Sequence, residues 1–206
     1  MGNRRYTSVL AAVVLAAVGL TAGCASTPSN PGDVCSIFRE KPGWYRGALK
    51  AEKRWKVSIP VMMAFTYKES SFVHNARPPR TKLLFVIPWR RPSSAYGFAQ
   101  ATNETWSDYQ RATGRRGADR NDFGDAIDFV GWYLDRAHRH LGISRHDAKR
   151  LYLSYHEGLS GYRSGRWKRN AWLQGAADRV AANAARYDRQ LSSCRNSLKR
   201  KRFLFW

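Results

Sequence analysis

Seven consecutive residues, Ile59-Pro60-Val61-Met62-Met63-Ala64-Phe65, constrain this chain more than any other stretch. As a helix the run is apolar on every side for about two turns, so it belongs inside a core rather than on a surface. Pro60 suits a first helical turn, where its missing N–H is not needed. Ser70, Ser71 and then Pro78-Pro79 end the helix. The continuation Tyr67-Lys68-Glu69-Ser70-Ser71-Phe72 places Glu69 near the C-terminal end of that buried element. Desolvation and the negative end of the helix dipole both disfavour a carboxylate there and raise its pKa. A carboxyl group kept protonated near neutral pH suits general-acid chemistry. The competing reading is a glutamate that turns from its helix end to solvent.

A chain of 206 residues fits one domain with a real core. Arg4 and Arg5 precede an apolar run, Val9 to Leu20, that is too short to span a bilayer as a mature helix. Thr21-Ala22-Gly23-Cys24 follows, and the whole resembles a bacterial lipoprotein signal in which Cys24 is acylated and becomes the new N-terminus. A plain secretory signal is the alternative. Ala25 after Cys24 is not the aspartate that retains such proteins, which points to the outer membrane, facing the periplasm. The expected organisation is a signal over 1–23, acylated cysteine and flexible tether over 24–33, a domain over 34–195 and a tail over 196–206. Cys35 and Cys194 remain, and an even count in an exported chain favours a disulfide between them. No Cys/His cluster has zinc spacing, so no metal is expected, and no motif calls for a cofactor.

Lysine and arginine number 36 against 15 acidic residues, a net charge of +21. Such a balance implies a polyanionic partner. In a bacterial envelope that means anionic lipid, lipopolysaccharide or the acidic peptides of peptidoglycan, and the export signal argues against nucleic acid. The tail Lys199-Arg200-Lys201-Arg202-Phe203-Leu204-Phe205-Trp206 mixes basic and aromatic residues as segments at an anionic membrane interface do.

In chain order, Val34 to Lys56 reads as one or two short helices broken at Pro42-Gly43. The Glu69 helix comes next, then an extended loop or short hairpin from Arg77 to Pro92. Ser93 to Gln100 forms a small-residue turn, and a helix of about a dozen residues starts at Asn103. Asn121 or Asp122 caps a helix from Phe123 to Leu141, whose apolar residues recur at three and four. Ser144 caps another, from Arg145 to about His156, and glycines 158, 161 and 165 punctuate the segment after it. Asn170 opens a last helix, Trp172 to Leu191. There are no repeats and no convincing sheet, so the expectation is a mostly α single domain.

Three short blocks in this order resemble the lysozyme-like lytic transglycosylases. Glu69, Ser70, Phe72 and Ala76 match the family's glutamate-serine block, Gly97-Phe98-Ala99-Gln100 its glycine-to-glutamine block, and Ser154-Tyr155-His156-Glu157-Gly158 its alanine-tyrosine-asparagine block. The resemblance spans roughly Lys50 to Gln190 and implies a lysozyme-like fold that cleaves the β-1,4 bond between N-acetylmuramic acid and N-acetylglucosamine. It implies that Glu69 first protonates the glycosidic oxygen, then acts as base for the muramyl 6-hydroxyl, giving a 1,6-anhydro product. Ordinary glycosidases need two carboxylates; attack by the substrate's own hydroxyl removes the need for the second. By the same resemblance Ser70 supports the glutamate and the Tyr155 hydroxyl holds its carboxyl. Gly97 admits a sugar close to the backbone. Gln100 is a candidate donor to an N-acetyl group or a backbone carbonyl. Tyr96 and Phe98 flank Gly97 and join the candidate supporting residues.

The chain departs from the family pattern in two places. His156-Glu157 replaces the usual asparagine and its neighbour. His156 then reads as a sugar ligand or as a structural histidine. Glu157 reads either as a second carboxylate, which reopens hydrolysis to a reducing sugar, or as a partner for Arg163 or Arg166. The long span from Phe72 to Gly97 looks like an insertion beside the cleft, with Phe85 and Trp89 as candidate contact residues. Besides a transglycosylase, three readings remain open: a muramidase using Glu69 and Glu157, an envelope protein that binds peptidoglycan without cutting it, and a basic module recognised by charge alone.

Overall fold

The computed structural model describes residues 26–80, 82–83, 87–88 and 93–201. Seven α-helices build the described part: α1 (Val34–Glu40), α2 (Pro42–Trp55), α3 (Ile59–Ser70), α4 (Asn103–Thr113), α5 (Phe123–Leu141), α6 (Ala148–Arg163) and α7 (Ala171–Lys201). A 3-10 turn over Arg166–Arg169 joins the last two. Between α3 and α4, two short strands, β1 (Lys82–Leu83) and β2 (Ile87–Pro88), pair antiparallel as the hairpin expected between the prolines. Phe85 and Trp89, the signal, Cys24 and Arg202 to Trp206 lie outside the described residues.

α3 is the axis of the fold. Every residue from Ile59 to Thr66 is buried, as an apolar run without a polar face requires. α7 and α5 pack against it, and α2 lies across α5. The first turn of α3 carries Pro60, and Glu52 of α2 accepts from the Ile59 N–H at 2.9 Å.

A second organising unit is aromatic. The Trp44 indole of α2 stacks on Phe123 of α5, with centroids 4.0 Å apart and planes at 3°. Phe72 and Phe98 pack on the same indole at 5.8 and 5.3 Å. One side chain thus fixes the residue just beyond α3 and the turn that begins at Gly97.

Several boundaries differ from expectation. α6 starts at Ala148, capped by Asp147 through the Arg150 N–H, not at Arg145 capped by Ser144. Arg145 is drawn instead to Asp135 of α5, at 2.5 Å, which holds its backbone in the preceding turn. Gly158 leaves helical geometry at φ 72°, so the expected end near His156 appears as a kink, with helix resuming to Arg163. Asn170 does cap α7, accepting from the Leu173 N–H. That helix continues ten residues past Leu191, so 196–201 are helical rather than tail.

The expected tether is partly bound as well. Ser29 donates to Glu40 through its backbone N–H and hydroxyl, Tyr187 of α7 donates to the Pro31 carbonyl, and Gln190 donates to the Gly32 carbonyl. The expected disulfide is present, joining Cys35 of α1 to Cys194 of α7. No helix among the described residues is long and apolar enough to cross a membrane.

Candidate active site

Glu69 sits in the last turn of α3, half-buried. Its pKa is raised to about 7, first by desolvation, with the Tyr152 hydrogen bond and the Lys68 ammonium opposing the rise. The backbone turns sharply behind it. Ser71 and Phe72 both take left-handed conformations, at φ 51° and 63°, which side chains other than glycine adopt at a cost. The Phe72 ring, buried between Trp44 and Tyr67, anchors that turn.

The Gly97 block forms the adjoining wall. Gly97 has φ 79°, and a Cβ there would lie 2.1 Å from the Arg120 carbonyl oxygen, so only glycine fits. Its N–H donates to the Ala76 carbonyl. The Gln100 amide donates to the Ala76 carbonyl at 2.9 Å and to the Gly97 carbonyl at 2.8 Å. Of its two expected roles, this is the backbone-tying one. Phe98 is buried under Trp44. The Tyr96 ring has two guanidinium groups against it, Arg77 at 4.4 Å and Arg120 at 5.2 Å.

α6 closes the site with tyrosines. The Tyr155 hydroxyl donates at 2.6 Å to the Ala99 carbonyl, so it holds the turn rather than the glutamate carboxyl. The hydroxyl on that carboxyl belongs to Tyr152, one helical turn earlier. Burial comes first in pushing both phenols above their ordinary range, and the Glu69 charge adds to it. Both rings pack edge-on against Phe65 of α3, at 5.4 and 5.5 Å. Ser70 donates to the Thr66 carbonyl of its own helix at 3.2 Å, so any support it gives runs through the helix end.

Glu157 is paired with Arg166 at 3.0 Å and has His156 Nδ1 at 3.6 Å. His156 is exposed, its ring 5.7 Å from that of Trp172. Sequence reasoning missed Tyr152, Trp44 and Trp172. Only Tyr152 carried a signal, since it lies three residues before Tyr155 and so on the same helix face. A cavity of about 700 Å³ between α2 and the start of α5 includes Phe98 and His74 in its lining, but not Glu69.

A family model described as the transglycosylase SLT domain matches residues 12–194. No curated protein and no solved structure matches the chain.

Proposed function

The chain belongs to the transglycosylase SLT-domain family, a peptidoglycan-cleaving type, and from that premise we propose that it is a membrane-anchored peptidoglycan lytic transglycosylase with Glu69 as its acid and base. The observation that carries the reading is a single carboxyl group held near pKa 7 at a helix end, with a tyrosine hydroxyl on it. Protonated Glu69 gives its proton to the glycosidic oxygen as the bond to the muramyl anomeric carbon breaks. The resulting carboxylate, steadied by Tyr152, takes the proton of the muramyl 6-hydroxyl as that oxygen closes on the anomeric carbon. Glu69 ends protonated again, no water is consumed, and the product carries a 1,6-anhydro ring. Pairing of Glu157 with Arg166 supports a mechanism that uses one carboxylate. Gly97, Gln100 and Tyr155 hold the wall against which the glycan lies. Acylation at Cys24 places the enzyme at the envelope membrane, and the basic surface favours the acidic peptides of its substrate.

Mass spectrometry of peptidoglycan digested by the full chain and by its Glu69→Gln variant tests this reading. Anhydro-muramyl ends are expected from the parent chain, reduced at least a hundredfold in the variant. Reducing ends from the parent chain would instead indicate hydrolysis and overturn the proposal.

A further inference from the structure

Trp172 stands apart among the described residues as an exposed large hydrophobic side chain, with 60% of its surface open to solvent. It lies in the first turn of α7, bordered by a lysine and a histidine. The Lys68 ammonium is 5.8 Å from its ring centroid, and the His156 ring meets it at 5.7 Å and 60°. Lys68 directly precedes Glu69, and its charge acts on the Glu69 carboxyl. Gly175 and Arg179 follow at three and seven residues, on the same helix face. Gly175 keeps that face low, its nearest neighbour being the Arg179 guanidinium at 3.5 Å from where a Cβ would sit. The Arg179 charge is felt by Tyr152, the tyrosine on Glu69. An aromatic plate and a cation folded back over Gly175 therefore run along α7, and the charges of Lys68 and Arg179 act on Glu69 and Tyr152.

The neighbouring carboxylates are engaged elsewhere, Glu157 by Arg166 and Asp178 by Lys149 at 2.6 Å. Lys68 and Arg179 have no ion pair among the described residues. A flat indole presents the right surface to the C–H face of a pyranose, and cations without ion pairs, Lys68 beside it and Arg179 two turns along α7, suit carboxylates of a peptide attached to that sugar.

We propose that Trp172, Gly175 and Arg179, with Lys68 and His156, form a glycan subsite that stacks one sugar ring on the indole and holds the carboxylates of its peptide stem on Lys68 and Arg179. The proposal rests on the peptidoglycan reading and adds a preference for peptide-bearing over stripped glycan.

The test uses the full chain with Glu69→Gln, so that ligands stay intact, and isothermal titration with peptidoglycan oligomers either carrying their stems or stripped by an amidase. Trp172→Ala is expected to weaken binding of both about tenfold, the scale of one aromatic stack, while Trp172→Phe retains most of it. Arg179→Gln is expected to weaken only the stem-bearing oligomer, about threefold or more. Thermal melts should be unchanged, because the indole is exposed. Unchanged binding in Trp172→Ala overturns the subsite, and equal losses for both oligomers in Arg179→Gln overturn its preference for stems. The parent chain separates the two proposals. Anhydro product with unaltered Trp172→Ala binding sinks the subsite alone. No product, with glycan binding still dependent on Trp172, sinks the transglycosylase reading alone. No glycan binding at all sinks both.

Discussion

At Glu69, desolvation outweighs two opposing influences, the Tyr152 hydroxyl and the Lys68 ammonium, and leaves the carboxyl near pKa 7. The proposed first step needs the acid form, so on that reading kcat/KM should be level below pH 6 and fall through about pH 7 with the loss of one proton. A pH–rate profile on soluble glycan strands checks this, and a profile level to pH 9 would contradict it. Tyr152 favours the charged carboxyl, so Tyr152→Phe should move that fall to higher pH. It should also lower kcat/KM about ten- to hundredfold, the worth of a hydrogen bond to a charge formed in the reaction. Stability responds in the same window. The folded chain keeps the Glu69 proton up to about pH 7, whereas the unfolded chain loses it near 4.5. Between those values the native state holds more protons, so stability declines as pH rises. Glu69→Gln removes the decline, and its advantage over the parent chain should grow from near nothing at pH 4 to roughly 3 kcal/mol at pH 8. Denaturant titrations at the two pH values decide it.

Among the elements, Trp44 ties the site together because Phe72 from the end of α3 and Phe98 from the Gly97 turn meet on its indole. Trp44→Ala should cost about 3–5 kcal/mol and should lower activity in molecules that remain folded, since both walls lose their common support. Denaturant midpoints paired with turnover per folded molecule separate those effects. An equally destabilised variant with full turnover would show that Trp44 serves packing alone. α3 itself was legible in the sequence because an all-apolar run has one place to go, and the Asp122 and Asn170 caps follow from local chemistry that a sequence exposes. The tyrosine on Glu69 was not. Tyr152 and Tyr155 share a face of α6, and motif matching favours the second. Which hydroxyl reaches the carboxyl and which reaches Ala99 depends on the angle between α6 and α3, a tertiary quantity. The start of α6 was misread for a related reason. Ser144 is a good local cap, but the pull of Asp135 on Arg145 comes from another helix.

For the whole molecule, α7 is the element that joins α1 to the middle of the fold. Its first turn carries Trp172 beside Lys68, it packs on α3, and its far end is bonded to α1 through Cys194 and Cys35. The bond closes a loop of 159 residues, and in the chain-entropy account a loop of that length stabilises by about 4–5 kcal/mol through the unfolded state. Contacts between α1 and α7 remain without it: buried side chains of both helices share the core, Gln190 accepts from the Val34 N–H and donates to the Gly32 carbonyl, and Tyr187 donates to the Pro31 carbonyl. A Cys35→Ser, Cys194→Ser double variant should therefore stay folded at 25 °C and melt about 10–15 °C lower. The bond lies 22 residues along α7 from Trp172, about 33 Å at helical rise, so turnover per folded molecule should be unchanged. Reductant should lower the melting temperature of the parent chain by the same amount and leave the variant alone. A parent chain that melts identically with and without reductant would mean that the bond adds no stability. Coincident loss of turnover at 25 °C would mean that α7 transmits its clamped end to the site.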